Sequence, residues 1–263
     1  MNYEMKKLSP FRRLSIHGYK ALGEGHNMHA LIELDVTETR RKLKMRKEAG
    51  EKISFFGFLL SAIAKTMDEH REFNHIRCGN RLYYFDEVDI DIPVEMELNG
   101  TPVPRKYLVK NAAKKTDVEI TAEIAEAKQK WKSQGSIGDD DKWALRWMRI
   151  ASAMPGWLFV LVSKLFAKRP LFIKERFGTT YVTSVTGFSN VPGFIVPFIA
   201  GKGRPLAFAI GSITEKPGIV NKEICIREYL SMTIVFNHDL VDGAPAARFV
   251  DGLRKRIEGK EMQ

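Results

Sequence analysis

The chain has few cysteines, no signal-peptide core and no apolar run long enough to cross a membrane. Its two cysteines, Cys78 and Cys225, lie far apart, without a CxxC pair or a His/Cys cluster at zinc-ligand spacing. This argues against a disulfide scaffold, gives no sign of a metal site, and predicts reduced thiols and a cytoplasmic location. The first residues, "MNYEMKKLSPFRRLSIHGYK", are basic but lack an apolar core, so secretory export is not expected.

The composition is that of a globular chain with a basic balance. Hydrophobic residues make up 44% and charged residues 28% of the 263 residues, which can form one large α/β domain over 1–263. The net charge of +10 could attract nucleic acid, an anionic membrane or a phosphorylated small molecule. The densest basic run, "RRKLKMRK" at 40–47, is most simply the solvent face of a helix. Since no nucleic-acid-binding motif accompanies it, we expect no nucleic-acid partner.

Local patterns predict an alternation of strands and helices. Ser54 is a candidate N-cap of a buried helix, and Thr116 with Glu119 has capping-box spacing. The segment 215–222, "EKPGIVNK", is predicted to be a hairpin turn. The predicted strands are 28–36, 88–98, an extended segment after 99–100, 179–188, 206–214 and 223–236; the predicted helices are 37–50, 53–70, 116–131 and 244–259.

The strand at 88–98, "VDIDIPVEMEL", alternates strictly between apolar and other residues. Its acids and Pro93 share one face, which predicts a solvated face. Proline cannot donate a ladder hydrogen bond, so a central and fully paired position is not expected for Pro93.

The segment 136–176 is predicted to be a helical excursion from the main domain. It holds three of the four tryptophans, and its apolar stretch at 154–166 is interrupted by Pro155 and Lys164. A spanning helix needs about 20 apolar residues, so crossing a membrane is not expected. An interfacial anchor using 154–173 is one alternative, but we expect packing on the chain's own domain or on a neighbouring subunit, and not membrane contact.

The segment "TIVFNHDLVDGAPAARF" at 233–249 places a histidine where a strand ends and a helix is about to begin. Taken alone, His238 followed by Asp242 and Gly243 is a weak pattern, and a structural histidine is then the favoured interpretation. A short turn would hold the imidazole rigidly, while Asp242 could cap the helix or accept a hydrogen bond from a buried cation.

The order of segments resembles the catalytic domain of the dihydrolipoamide acyltransferases of 2-oxo acid dehydrogenase complexes. In that family a histidine, three further residues and Asp-Gly or Asn-Gly precede Ala-x-Ala-Ala-x-Phe. The matching residues are His238, Asp242, Gly243, Ala244, Ala246, Ala247 and Phe249. The resemblance extends over most of the chain, through "LSPFRRLS", "IELDVTETRRKL", "KISFFGFLLSAIAKTM" and "VDIDIPVEMELNGTPVP".

The resemblance implies an α/β fold like that of chloramphenicol acetyltransferase, a two-layer sandwich with a mixed central sheet and helices packed on it. It implies a CoA-dependent acyltransferase in which His238 is the general base and no acyl-enzyme forms. Ser184 in "YVTSVTG" falls on the family's oxyanion-donor serine. Thr183 is the alternative because a one-residue slip would reverse the face, and a purely structural strand serine is also open.

The resemblance further implies a homotrimer with its active site between subunits, coenzyme A as acyl carrier, and a lipoyl group carried by another protein. Asp242 and Gly243 would keep the site in shape, with Arg13 as a candidate partner of Asp242.

This chain departs from the family at Asn237 and Asp239, which replace the usual Asp and Arg beside the histidine. The sequence shows no lipoyl domain or Ala/Pro-rich linker ahead of the core, so we expect the chain not to carry its own lipoyl group. The segment 136–176 has no counterpart in the typical domain. A protein that keeps the fold but has lost turnover, such as an assembly scaffold, is the alternative function.

Overall fold

The central sheet of the computed structural model contains six strands in the order β1-β8-β7-β6-β4-β5. Neighbouring strands are antiparallel except for β4 with β6 and β6 with β7, which are parallel, so the sheet is mixed. The structure describes residues 5, 8–22, 25–98, 101–133, 146–147, 149–187, 191–197 and 203–259. The six strands are β1 Asn27–Asp35, β4 Ile90–Leu98, β5 Thr101–Val109, β6 Thr180–Ser184, β7 Leu206–Val220 and β8 Glu223–Asn237, and a separate hairpin is formed by β2 His75–Cys78 and β3 Arg81–Tyr84.

The helices include those predicted from the sequence, with their predicted starts. Ser54 Oγ accepts a hydrogen bond from the Gly57 amide at 2.9 Å, which confirms the N-cap. Thr116 and Glu119 form the reciprocal bonds of a capping box, at 2.7 and 3.2 Å. The helices are α1 Pro10–Leu22, α2 Thr37–Glu48, α3 Phe55–Glu69, α4 Asp117–Ser133, α5 Gly156–Phe166, α6 Pro170–Phe177 and α7 Gly243–Ile257.

The main core lies between one face of the sheet and helices α3, α4 and α7. Phe249 of α7 is fully buried and its ring lies 4.8 Å from that of Phe73 and 6.1 Å from that of Phe236 on β8. Among the described residues, the buried cluster on the opposite face of the sheet is small and consists of Ala207 and Val235, with Tyr181 against it. The fold is therefore a sheet with one helical layer, the two-layer arrangement predicted above.

The predicted solvated face of β4 is wrong at its two aspartates, since Asp89 and Asp91 are 3% and 5% exposed. Lys174 of α6 donates to Asp89 at 2.8 Å, and Lys106 of β5 lies 3.3 Å from Asp91. Burial raises the pKa of Asp91 and lowers the pKa of Lys106 to about 8, although each group's charge favours the charged form of the other. Alternation along one strand could not reveal these covering cations, because they come from distant segments.

Pro93 has the partly paired position predicted for it. It pairs with Lys106 of β5, whereas the contact of β4 with β6 is limited to Ile90 and Asp91. Pro93 therefore lies beyond the part of β4 that pairs with strands on both sides, where each backbone N–H would be needed as a hydrogen-bond donor.

The hairpin turn between β7 and β8 is shorter than the predicted segment 215–222. Both strands continue until only Asn221 and Lys222 remain between them, and these have φ values of 52° and 70°. Left-handed φ at both central residues is typical of a two-residue hairpin turn whose twist matches the strands. Pro217, predicted to lie in the turn, instead pairs with Ile226.

The segment predicted to be an excursion is helical where the structure describes it, over 149–153 and in α5 and α6. Helix α5 packs against α1, where the Phe159 and His17 rings are 5.6 Å apart. Its first part, 136–145, lies outside the described residues. None of the helices that the structure describes has the length and apolarity needed to traverse a bilayer.

Candidate active site

His238 lies in the short turn that joins β8 to α7. Its amide donates a hydrogen bond of 2.6 Å to the carbonyl of His26, the residue just before β1. Because β1 and β8 are antiparallel, the start of β1 lies beside the end of β8, and this bond fixes the histidine backbone to both strands. The side chain is 49% exposed, so the imidazole is open to a reactant.

Asn237 and Asp239, the two residues that differ from the family pattern, stabilise this turn through hydrogen bonds. Asn237 is buried, and its Oδ1 accepts a hydrogen bond of 3.0 Å from the Asp239 amide. Asp239 Oδ1 lies 2.8 Å from His26 Nδ1. This local arrangement, in which an Asn side chain bonds the backbone two residues on, is a common way to fix a turn. His26 was not predicted as a site residue, because sequence alone does not give the pairing of β1 with β8.

Asp242 lies near His238 but does not hold it. The His238 Nδ1 to Asp242 Oδ1 distance is 3.9 Å, too long for a hydrogen bond, and the Asp242 side chain is 88% exposed. Asp242 has the N-cap position of α7 with extended backbone angles, but its side chain makes no capping bond. Gly243 begins the helix, and a Cβ there would meet nothing within 4 Å. The space around it therefore does not require glycine.

The predicted pair of Asp242 with Arg13 is not formed within this chain. Both side chains belong to the described residues and both are exposed, yet no ion pair or hydrogen bond joins them there. Arg13 lies in α1, and its amide donates a hydrogen bond of 3.0 Å to the Ser9 carbonyl.

Ser184 is the last residue of β6, paired with Ile210 of β7. Its Oγ is partly exposed and accepts a hydrogen bond of 3.2 Å from the Thr186 amide, so its own proton remains available to another acceptor. By strand alternation Ser184 shares a face with the buried Val182, while Thr183 shares the opposite face with Tyr181.

Ser184 and His238 lie far apart within one chain, because Ser184 is part-way along the sheet and His238 follows the end of β8. On β7, Leu206 pairs with Phe236 near the histidine end of β8, whereas Ile210 pairs with Ser184. The two levels are four residue steps apart, about 13 Å, and β7 separates β6 from β8, which adds two spacings of about 5 Å. These side chains cannot meet in one chain, but they can meet across an interface between two chains.

A groove of about 420 Å³ lies beside the histidine turn, between β1, β8 and α7. Its walls are mainly apolar, and its polar edge carries His29, Asp251 and Arg254. Lys255 and Arg254 hold the pKa of Asp251 at about 2, so this carboxylate is charged at neutral pH. The apolar lining consists of Met28, Ala30, Phe236, Gly243, Ala246, Ala247 and Val250. Such a groove suits a slender apolar group with a polar end.

Within the described part of the chain, no cluster of three or more His, Cys, Asp or Glu side chains is arranged to hold a metal ion. Cys78 and Cys225 are both free thiols. Burial raises the pKa of the Cys78 thiol, which disfavours the nucleophilic thiolate there.

A mixed sheet packed against a helical layer, with a histidine turn between the last strand and the last helix, defines an α/β two-layer class of fold. The family model for the 2-oxoacid dehydrogenases acyltransferase (catalytic domain) matches residues 22–141 and 178–262. The chain therefore belongs to this acyltransferase family, as its resemblance predicted. The two matched segments leave out 142–177, which contains α5 and α6.

Curated relatives are similar over most of this chain. The dihydrolipoyllysine-residue acetyltransferase component of the pyruvate dehydrogenase complex of Rickettsia felis is 24% identical over 229 residues, which cover 87% of this chain and 45% of the relative. The lipoamide acyltransferase component of the branched-chain alpha-keto acid dehydrogenase complex of Bacillus subtilis is 23% identical over 234 residues, covering 87% and 46%. The chain thus spans less than half the length of these relatives.

Solved structures share the fold at low sequence identity. The dihydrolipoamide acetyltransferase of Azotobacter vinelandii superposes with a TM-score of 0.70 and 17% identity, covering 99% of this chain and 93% of that one. A truncated catalytic core of the 2-oxoacid dehydrogenase multienzyme complex of Thermoplasma acidophilum gives a TM-score of 0.66 and 20% identity, covering 97% and 98%. The predicted fold class is therefore confirmed.

Proposed function

We propose that this chain is a single catalytic domain, 1–263, of a CoA-dependent acyltransferase. It moves an acyl group between a CoA thioester and the thiol of a dihydrolipoyl group on another protein, or of a similar small acceptor. The observation that carries this proposal is the His238 turn, in which a half-exposed imidazole is fixed to β1 and β8 beside an apolar groove. The free cysteines support action in the reducing cytoplasm.

His238 acts as general base. Its Nδ1 lies on the side of Asp242, which leaves Nε2 to take the proton of the attacking thiol. The thiolate adds to the thioester carbonyl, and the Oγ–H of Ser184 donates to the oxyanion of the tetrahedral intermediate. When the intermediate collapses, the carbon–sulfur bond of the donor thioester breaks and the departing thiolate receives the proton from His238. No acyl-enzyme is needed, since both thiols are present together.

The two groups come from different copies of the chain. Their separation within one sheet supports a site in which His238 of one subunit faces Ser184 of the next, and a closed ring of three chains gives each histidine one such partner. Asp242 and Gly243 shape the start of α7 beside this site, and Arg13, which forms no ion pair with the acids among the described residues, is available to the neighbour.

The relative from Azotobacter supports these assignments. Its structure was studied for the role of a serine, a histidine and an asparagine in its catalytic mechanism, and the asparagine lies four residues after the histidine. Ser184, His238 and Asp242 occur in the same order, with the acid four residues after the histidine.

The test is release of free CoA thiol from a panel of acyl-CoAs with dihydrolipoamide, chloramphenicol or simple amines as acceptors. Wild type is expected to turn over with a thiol acceptor, and His238→Ala to lose turnover while keeping the oligomeric state. Ser184→Ala is expected to lower kcat by about 100-fold or more, the usual loss of one oxyanion donor. Thr183→Ala is the matched control on the opposite face. Equal CoA release by wild type and His238→Ala would overturn the proposal in favour of an inactive structural protein.

Subunit complementation tests the shared site directly. In a mixed trimer of His238→Ala and Ser184→Ala chains, one of the three sites combines an intact histidine with an intact serine. Random co-assembly should therefore restore about a quarter of wild-type activity from two inactive variants. Co-expressed His238→Ala and His238→Gln chains are the control and must remain inactive. No recovery in the serine–histidine mixture, with mixed trimers present, would contradict a site between subunits.

A further inference from the structure

Helix α5 presents an apolar stripe to solvent. Trp157, Leu161 and Leu165 follow one another at intervals of four residues, so they lie on one side of the helix. Their exposed fractions are 70%, 52% and 60%, and no residue of α5 is fully buried. A helix that is apolar on most sides normally lies in a protein core or in contact with lipid.

The opposite side of α5 packs against α1, so the apolar stripe faces away from α1. Phe159 packs on His17 of α1, and a Cβ on Gly156 would lie 3.6 Å from that imidazole. The following helix is tied to the sheet, because Lys174 binds Asp89 at 2.8 Å and Glu87 at 3.0 Å. Packing on the chain's own domain, as expected from the sequence, therefore accounts for one side of α5 and leaves the other uncovered.

The apolar surface continues past the end of α5 and carries cations but no acids. Leu171 and Phe172 at the start of α6 are 66% and 38% exposed. No aspartate or glutamate occurs from 157 to 174. The side chains of Lys164, Lys168 and Arg169 are exposed, and within the described residues none of them is in an ion pair. We call these eight residues the α5–α6 surface: Trp157, Leu161, Lys164, Leu165, Lys168, Arg169, Leu171 and Phe172.

We propose that the α5–α6 surface docks onto the face of an anionic lipid bilayer without crossing it. Leu and Phe side chains enter the acyl boundary, Trp157 lies at headgroup level, and the three cations meet lipid phosphates. Helix α5 has 11 residues, or about 16 Å, far short of the roughly 30 Å hydrocarbon core. Docking in the plane of the surface is the geometry that this length permits.

The charge distribution favours lipid over a second copy of the chain. Interface cores between proteins are depleted of lysine, and if two copies met through this acid-free surface, each would bring its three cations against the three cations of the other. Anionic headgroups at a cytoplasmic leaflet attract such cations, while the stripe supplies the apolar contact that a purely electrostatic partner such as nucleic acid does not need.

The experiment is co-sedimentation of the full chain with vesicles of equimolar phosphatidylglycerol and phosphatidylcholine, and with phosphatidylcholine alone. Wild type is expected to bind the anionic vesicles, to bind less as salt rises, and to show a blue-shifted tryptophan emission. The variant Lys164→Gln/Lys168→Gln/Arg169→Gln is expected to lose about 100-fold in partitioning, the size expected for three cations at an anionic surface. Trp157→Ser/Leu161→Ser/Leu165→Ser is expected to lose both binding and the blue shift.

Two comparisons distinguish specific lipid docking from nonspecific hydrophobic adsorption. Leu82→Ser/Tyr84→Ser changes two exposed apolar residues of the β2–β3 hairpin and should bind vesicles like wild type. The charge variant alters only exposed side chains, so it tests the proposal even if the stripe variant unfolds. Absence of wild-type binding to anionic vesicles would overturn the proposal. A stripe variant that changes the oligomeric state, with vesicle binding unchanged, would overturn it in favour of a contact between copies.

Discussion

His26 and Asp239 meet where β1 begins and β8 ends, and they act on the catalytic candidate through the backbone. The His26 carbonyl accepts the His238 amide, and the His26 ring lies 2.8 Å from Asp239 Oδ1. Residues that replace the family's usual neighbours of the histidine thus have a local structural use in this chain. They are positioning residues in the proposed mechanism, since neither touches a reacting atom.

Asp239→Ala is expected to lower turnover by about tenfold while changing the free energy of unfolding by less than about 1 kcal/mol. The pair with His26 is solvent-exposed and contributes little to stability, but a base that is slightly misplaced loses rate steeply. Asp239→Asn keeps an acceptor and should retain most activity. Asp86→Ala breaks a comparable exposed pair with Arg71 far from the turn and should leave turnover unchanged. A kcat in Asp239→Ala equal to that of wild type would refute the positioning role.

Lys106 should titrate well below the other lysines. Burial lowers its pKa to about 8 from the ordinary 10.5, even though Asp91 lies 3.3 Å away. Between these two pH values the unfolded chain holds a proton that the folded chain has released, so the free energy of unfolding rises with pH there. NMR of ¹³C-methylated lysines should show one resonance moving near pH 8. Lys106→Arg stays charged throughout, so it should lack both that resonance and the rise in stability. A wild-type spectrum in which all lysines titrate together would contradict this.

At the scale of elements, the sequence predicted those features that depend on neighbours along the chain. The Ser54 cap and the Thr116–Glu119 capping box are confirmed because their partners lie three residues away. The solvated face of β4 was wrong because Lys106 and Lys174 reach Asp91 and Asp89 from other elements. The predicted turn at 215–222 was longer than the observed one, because β7 and β8 continue to pair past Pro217, which the strand tolerates.

Gly57→Ala in α3 is expected to destabilise the protein by about 1–3 kcal/mol, although alanine usually favours a helix. A Cβ there would lie 2.2 Å from Thr121 Oγ1 on α4 and 3.0 Å from the Asp117 carbonyl. Adding Thr121→Ala removes the closer atom and should recover part of the loss. Gly18→Ala in α1 meets nothing within 4 Å and should be neutral or stabilising. Urea unfolding of wild type and these three variants measures this; an unchanged midpoint for Gly57→Ala would show that α3 and α4 can separate at low cost.

At the scale of the molecule, the sequence predicted a histidine and a serine as catalytic candidates but not the distance between them. His238 was predicted from its motif and Ser184 from its place in the family's strand. Their separation follows from the strand order and register, in which β7 separates β6 from β8 and Ser184 pairs four residues along β7 from the level of Phe236. Strand order depends on contacts between residues remote in sequence, which a single chain's pattern does not contain. The same limit explains why His26 was missed.

The far end of the β7–β8 hairpin is a candidate contact between copies. Its pairing with β1 begins only at Tyr229, so the stretch from Glu223 onward extends beyond the rest of the sheet. Ile219 and Ile224 face each other across the ribbon, and Ile226 lies on the same side as Ile224; the three are 78%, 79% and 74% exposed. So much apolar surface on a two-stranded ribbon is typical of an interface.

Ile224→Asp/Ile226→Asp is therefore expected to shift the proposed trimer to monomers, measured by light scattering after size exclusion. Because the proposed site needs His238 and Ser184 from two chains, turnover should fall in proportion to the trimer lost and recover at high protein concentration. Leu82→Asp, an exposed apolar residue on the β2–β3 hairpin, is the matched control and should leave both unchanged. Monomers that keep full turnover would refute a shared site. Trimers that persist in this variant would show that the interface does not depend on this ribbon, and the shared site would then be tested by subunit complementation.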